Sequence, residues 1–397
     1  MEKTRGECLN YYNKFLIKTI FIIVFIIAST ATVSAQLSGS VGYSLLYDDN
    51  PFREITGSEE FVNSVSTGLN FQPSSDNEFY LMYEGNVNAF KNVGDRFYQY
   101  HSFGLNYSAA LGNAEEENIF MGADYDIKKG TSDYSIYDYN MYSAYLNGKI
   151  DLAENIFGKI GYRLSSRNYP SLYDLTHFEN LFYGQISTFF ETRTGMFLDV
   201  AFGNKNYSMV EETNDSTGMM GKGKGKGAMA KANSYEKNVN AAQLRTAFKI
   251  SQSVFENTGI SLFYLNRFNL SSSGKNLQSA DFIYSSDTEL WDDPYSFSSN
   301  EYGITLTQKL PLEITFKLSA GYSRRHYTLN LADSLNLTQR IDGKAEYWLG
   351  ISKTFESVPL FESLELTFDY MFIQNNSNMS LFTYKNSIAH FGLSLEF

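Results

Sequence analysis

Residues 388–397, the last ten of the chain, read IAHFGLSLEF. Ala389, Phe391, Leu393, Leu395 and Phe397 are apolar, while His390, Gly392, Ser394 and Glu396 between them are small or polar. A β-strand turns successive side chains to opposite faces, so this period of two gives one greasy face and one wet face. The pattern runs to the final residue and closes on Phe. A soluble sheet seldom leaves a greasy terminal strand facing water. The stretch therefore predicts a strand whose apolar side meets something else.

The same alternation returns back through the chain. Leu37, Gly39, Val41, Tyr43, Leu45 and Tyr47 form the first such face, and Val65, Thr67, Leu69 and Phe71 the second. The third shows Phe79, Leu81, Tyr83, Gly85, Val87 and Ala89 against Tyr80, Met82, Glu84, Asn86 and Asn88. Further strands are predicted at about 96–111, 119–127, 137–150, 156–164, 178–190, 196–202, 244–250, 260–264, 302–306, 314–322, 341–351 and 364–370. The terminal strand is then the sixteenth. The even-numbered connections, at 73–77, 112–117, 151–154, 191–195, 253–258, 310–313 and 355–361, are all short. The two longest, about 207–236 and 271–297, are both odd-numbered. Parity thus puts tight turns at one end and long loops at the other.

Aromatic residues gather near both ends. Phe71, Phe79, Phe190, Phe355, Phe361 and Phe397 mark the turn end. Tyr47, Phe61, Phe97, Tyr137, Tyr139, Tyr169, Tyr207, Phe268 and Tyr302 mark the loop end. Two aromatic belts fit a bilayer.

With Phe391, Leu393, Leu395 and Phe397 at its terminus, the chain resembles bacterial outer-membrane β-barrels of the porin-like superfamily. Their last strand typically ends in an aromatic residue read by the barrel-assembly machinery. The resemblance covers the chain after residue 35. It implies an all-β, transmembrane, antiparallel up-and-down barrel of about 16 strands (about 14–18), with short periplasmic turns and longer external loops. It implies those four residues as the assembly signal. Outer-membrane lipid and the assembly machinery follow as partners, and a homo-oligomer is a further one, since porins often trimerise through a flat wall.

The other terminus agrees. Lys3, Arg5, Lys14 and Lys18 precede an apolar run at 19–28 (TIFIIVFIIA), and Val33-Ser34-Ala35 offers a small-residue cleavage site. That order predicts a signal peptide over 1–35, removed before Gln36. The run is shorter than the roughly 20 residues a spanning helix needs. Cys8, the single cysteine, leaves with it, so disulfides and thiolate metal sites are not expected in residues 36–397. The 32 basic and 44 acidic side chains lose four Lys/Arg and two Glu with the leader, becoming 28 and 42, a net −14. Nucleic-acid binding needs a basic footprint and is excluded. Tyr 30 and Phe 32 are high counts, Pro 6 is low, and the mean hydropathy is −0.30. A barrel reconciles these values, because only alternate residues need be apolar.

The polar faces predict a charged lumen. Candidate lining charges are Lys159, Arg163, Arg167, Arg245 and Lys249, then Arg340, Asp342, Lys344, Glu346 and Asp369. Asp199, Lys205, Lys317, Arg325, Glu365 and His390 join them, with Glu84, Asp124 and Asp126 from early strands. A lipid face would penalise such charges by about 2–4 kcal/mol at mid-depth. The sharper reading has the Lys159/Arg163/Arg167 row facing an acidic wall and filtering solutes; the plainer one has the charges paired.

The basic, glycine-alternating segment 218–232 (GMMGKGKGKGAMAKA) reads as a loop tip within an external loop at about 208–236. Trp291-Asp292-Asp293-Pro294 sets an aromatic beside carboxylates, which suits contact with a sugar or a cation, and equally a structural loop that caps or narrows the barrel, the preferred reading. No catalytic constellation is expected. His101 and Ser102 are strand neighbours pointing to opposite faces, and His390 and Ser394 share a face roughly 13 Å apart. No metal or other cofactor is implied. The sequence points first to a passive channel for small hydrophilic solutes. A surface receptor or adhesin working through its loops is the alternative, and a barrel hydrolase ranks last.

Overall fold

The structure, a computed structural model, describes residues 36–51, 53, 57–73, 78–92, 96–110, 118–208, 240–271, 293–333, 336–356 and 358–397. The leader, the 218–232 segment, Trp291 and Asp292 lie outside the described residues.

Sixteen strands follow in chain order. They are β1 Gln36–Asp48, β2 Glu60–Gln72, β3 Phe79–Phe90, β4 Phe97–Ala110, β5 Asn118–Gly130, β6 Tyr139–Ala153, β7 Ile156–Asn168 and β8 His177–Phe190. The second half comprises β9 Thr194–Tyr207, β10 Asn240–Phe255, β11 Thr258–Asn269, β12 Phe297–Lys309, β13 Ile314–Asp333, β14 Asn336–Glu356, β15 Ser363–Ser377 and β16 Tyr384–Glu396. Each strand pairs antiparallel with the next, and β16 pairs back onto β1, so the sheet closes. Closure satisfies every strand edge, which is what a sheet in lipid requires.

The closing seam is set by the stretch that opened the reading. Val41 pairs with Leu395, Tyr43 with Leu393 and Leu45 with Phe391. Two period-two stretches from opposite chain ends thus put their apolar sides on one face. Gly39 and Phe397 exchange backbone hydrogen bonds of 2.8 and 2.9 Å, so the terminal aromatic is held in the ladder. The Phe397 ring lies over Gly39, where a Cβ would collide with it.

Register carries that face around the ring. Tyr43, Leu105, Leu146, Phe182, Phe202, Leu262, Ile304, Leu318, Tyr347 and Phe368 are exposed and share it. This is the outer, lipid-directed face. The tyrosines sit toward its loop end and find polar partners: Tyr43 Oη donates to Asn63 at 2.8 Å, Tyr162 to Asn180 at 2.6 Å and Tyr264 to Asn300 at 2.8 Å. Such rings suit the bilayer interface, one side apolar and the hydroxyl satisfied. Phe71, Phe190 and Phe355 are exposed at the turn end.

The belt differs from expectation at three residues. Tyr139, Tyr169 and Tyr207 are only 4 %, 1 % and 6 % exposed, and they lie on the inner side at the mouth. Tyr139 and Tyr169 pack with Leu175. Nearness to a strand end does not say which face a ring takes; the phase of the alternation does.

Two turn-end connections are tighter than the predicted 151–154 and 191–195. Strands β6 and β7 are joined through residues 154–155, with Asn155 at φ 62°, and β8 and β9 through 191–193, with Arg193 at φ 59°. A left-handed residue closes a short hairpin while keeping the strand twist, and Asn bears it at little cost. At the opposite end β13 and β14 run to 20 and 21 residues, far beyond the predicted 314–322 and 341–351. In β13 the alternation changes phase there: Ile314 to Tyr322 are apolar at even positions and Tyr327, Leu329 and Leu331 at odd ones, across a register shift between His326 and Asn330.

Candidate functional site

The site is the inner wall. All ten candidate charges fall on the inward register positions, opposite the exposed apolar face. They do not have equal access to the lumen.

From mid-height to the turn end the side chains stay exposed. Lys159 and Arg163 on β7, Arg245 and Lys249 on β10 and Lys317 on β13 all point inward and are exposed. An inward side chain keeps contact with water only if the interior is not packed. Arg163 Nη2 donates to Ser143 Oγ at 3.3 Å, and Ser143 donates to Asp124 at 3.0 Å. The basic row is thereby linked to the acidic residue two strands away on β5. Asp369, half-buried at the middle of β15, lies half-way round the ring from β7 and bonds His390 Nδ1 at 3.2 Å. Gln185 Nε2 donates to Asp199 at 2.6 Å.

At the loop-end mouth the same residue types are closed off. Arg167 is 8 % exposed, with its guanidinium 4.7 Å from the Tyr139 ring centre and bonded to Tyr169 Oη at 3.3 Å. Asp342, 1 % exposed, takes hydrogen bonds from Arg340 and from Asn375 Nδ2 at 3.1 Å. Arg340 itself lies between Tyr327 and Phe382, at 3.9 and 3.7 Å. Lys344 is buried and bridges to Glu346. Arg167, Asp342 and Lys344 are therefore inward-facing but shut off from the lumen, and the expected Lys159/Arg163/Arg167 row is open at two of its three positions.

These belong to a collar. Every odd strand from β5 to β13 carries a cation near its loop end against an aromatic ring. Lys128 faces Tyr98, Arg167 faces Tyr139, Lys205 faces Tyr207, and Arg267 and Arg325 both face Phe297. Arg96, before β4, packs on Phe90 at 4.1 Å, and burial lowers its pKa to about 10, still charged at neutral pH. Desolvated cation–π contacts are worth about 2 kcal/mol.

The segment from Asp293, just before β12, folds onto this collar. Asp293, 3 % exposed, accepts from Lys205 Nζ at 3.0 Å and from Tyr207 Oη. A short helical turn, Pro294–Ser296, follows. Gln243 Nε2 donates to the Pro294 carbonyl at 2.6 Å, and Asn269 Nδ2 to that of Tyr295 at 3.0 Å. Tyr295 Oη reaches Glu179 on β8 at 2.5 Å. The structural reading of this loop therefore applies to Asp293 and Pro294.

The sequence reading missed how inward tyrosines lie. Tyr145 on β6 crosses Gly122 on β5 and donates to Asn106 on β4. Tyr183 on β8 crosses Gly161 on β7 and donates to Asn147 on β6. Tyr295 crosses Gly203 on β9 to reach Glu179. A Cβ at any of these glycines would collide with the ring. The repeat lays rings flat on the wall, so bulky residues cost the lumen little width. Its signal was a Tyr on the wet face two strands from an Asn.

His101 is on the outer face, bonded to Tyr83 Oη at 2.9 Å, while Ser102 faces inward. His177 Nδ1 bonds the Leu175 carbonyl at 2.7 Å.

No family model and no curated protein matches the chain. Solved structures do. The Pseudomonas aeruginosa porin OccK2 (OpdF) matches with 10% identity and a TM-score of 0.51, covering 91% of this chain and 98% of its own. The same porin in complex with glucuronate matches with 9% identity and a TM-score of 0.50 over 91% and 98%. At these identities the likeness is one of fold: the chain has the sixteen-stranded architecture of outer-membrane porins.

Proposed function

We propose that the protein is an outer-membrane channel for passive diffusion of small hydrophilic solutes. The observation that carries this reading is the exposure of Lys159, Arg163, Arg245, Lys249 and Lys317 inside a closed barrel. Sixteen strands leave an aqueous lumen, and charged residues on its wall fit water rather than a packed core. Four of these five cations lie on β7 and β10, and Asp369 stands half-way round the ring from β7, an arrangement that would orient polar solutes across their path. In this reading residues 1–35 direct export, Phe391, Leu393, Leu395 and Phe397 are read by the assembly machinery, and a homo-oligomer packs through the barrel wall. Diffusion needs no cofactor.

Liposome swelling tests it. Vesicles holding the refolded chain swell in isotonic glycine or arabinose and stay shrunken in a large dextran. Absence of swelling in every solute, from protein that shows a heat-sensitive folded band, overturns the channel reading and moves the function to the external loops.

A further inference from the structure

Two inward phenylalanines stay exposed against the rule that the lumen is polar. Phe189, at the turn end of β8, meets Phe197 edge-on at 5.5 Å and so belongs to a rim cluster. Phe263 is different. It stands at the middle of β11, is 41 % exposed, and opens on a trough of about 240 Å³. Gly303 and Gly321 form the floor, Trp348 the far wall, and Glu301 and Glu346 the polar rim. The glycines are what make room: the Phe263 ring lies over Gly303, where any Cβ would collide with it. Thr305 and Ser319 add hydroxyls 2.8 Å apart on the same surface.

Each carboxylate at the trough is held by a cation. Glu301 is paired with Arg267, and Glu346 with Lys344, in each case through Oε1. Arg325 and Arg53 also act on Glu346, so neither carboxylate is left to draw in a cation. The second carboxylate oxygens and the hydroxyls are acceptors and donors for hydroxyl groups. Two aromatic faces beside polar groups that fix orientation are the chemistry of a small-molecule site.

We infer that this trough is a stacking subsite for a neutral, polyhydroxylated ring such as a sugar. It rests on the channel reading, since a solute reaches the trough only through the lumen. The apolar C–H face of the ring lies on Phe263 and Trp348, and its hydroxyls bond Glu301, Glu346 and the Thr305–Ser319 pair.

Planar-bilayer recording with added maltose tests it, with choline and glucuronate as charged controls. Maltose gives brief interruptions of open-channel current, and the two controls give fewer. Phe263→Ser and Trp348→Ser each weaken the interruption by about three- to tenfold, the loss of one aromatic contact. Steady open steps indifferent to maltose overturn the subsite and leave the channel reading standing, as does stronger interruption by choline. A barrel that does not conduct overturns the channel reading instead, and fluorescence then decides on the subsite. The chain holds 2 Trp, so W291F leaves Trp348 as sole reporter. A maltose-dependent emission shift supports the subsite; no shift overturns it.

Discussion

Arg163 and Arg167 sit on one strand, one face and one row, a single helical-turn's worth of sequence apart, yet they live in different environments. Arg163 is exposed at mid-barrel and reaches a serine. Arg167 is buried against Tyr139 and Tyr169 at the mouth. The contrast extends around the ring: Lys159, Arg245 and Lys249 go with Arg163, while Lys205, Arg340 and Lys344 go with Arg167. Pointing into a barrel and facing its water are separate properties. The first is set by the period of two, the second by what neighbouring strands and loops lay over the side chain.

Substitutions can break that comparison, beginning with the largest effect. Asp293→Ala removes a charge-assisted hydrogen bond from the buried Lys205 and the acceptor of Tyr207 Oη, which costs about 1.5–3 kcal/mol. The folded band should be lost at a clearly lower temperature than in the wild-type chain; unchanged heat resistance would mean the loop is not part of the collar. Arg167→Ala should cost about 2 kcal/mol through its ring contacts, with ion selectivity unmoved. A changed reversal potential would place Arg167 in the lumen after all.

Arg163→Glu combined with Lys159→Glu should do the opposite. Stability stays near wild type, because both side chains are exposed, and the reversal potential in a salt gradient moves toward cations. An unmoved potential sinks the filtering role of this wall. The smallest effect is that of Tyr145→Phe, which removes one hydrogen bond to Asn106 and should cost about 1 kcal/mol. If Gly122→Val is tolerated equally well, the ring does not lie where the structure has it.

Most of the fold was legible because a barrel in lipid repeats one instruction, apolar out and polar in. That instruction is local, so sixteen strands, the parity of turns and loops, and the inward phase of all ten candidate charges could be read from alternation. The outer halves of β13 and β14 were not legible, since the alternation changes phase at the register shift between His326 and Asn330. Burial of Arg167, Asp342 and Lys344 was hidden for a different reason. For Arg167 and Asp342 it depends on Tyr139 and Asn375, partners on adjoining strands, and on how loops such as the one at Asp293 fold inward. The flat tyrosines show the same limit: Tyr145 needs Gly122 one strand away and Asn106 two strands away, a relation visible only once register is known.

The most direct test of the account is single-channel conductance of refolded residues 36–397 in a planar bilayer, with Arg167→Gln and Arg163→Glu beside wild type. The account predicts steady steps that scale with salt, with selectivity changed by Arg163→Glu and not by Arg167→Gln. A folded barrel without steps would contradict the open lumen, and equal shifts from both substitutions would contradict the division between mouth and mid-barrel.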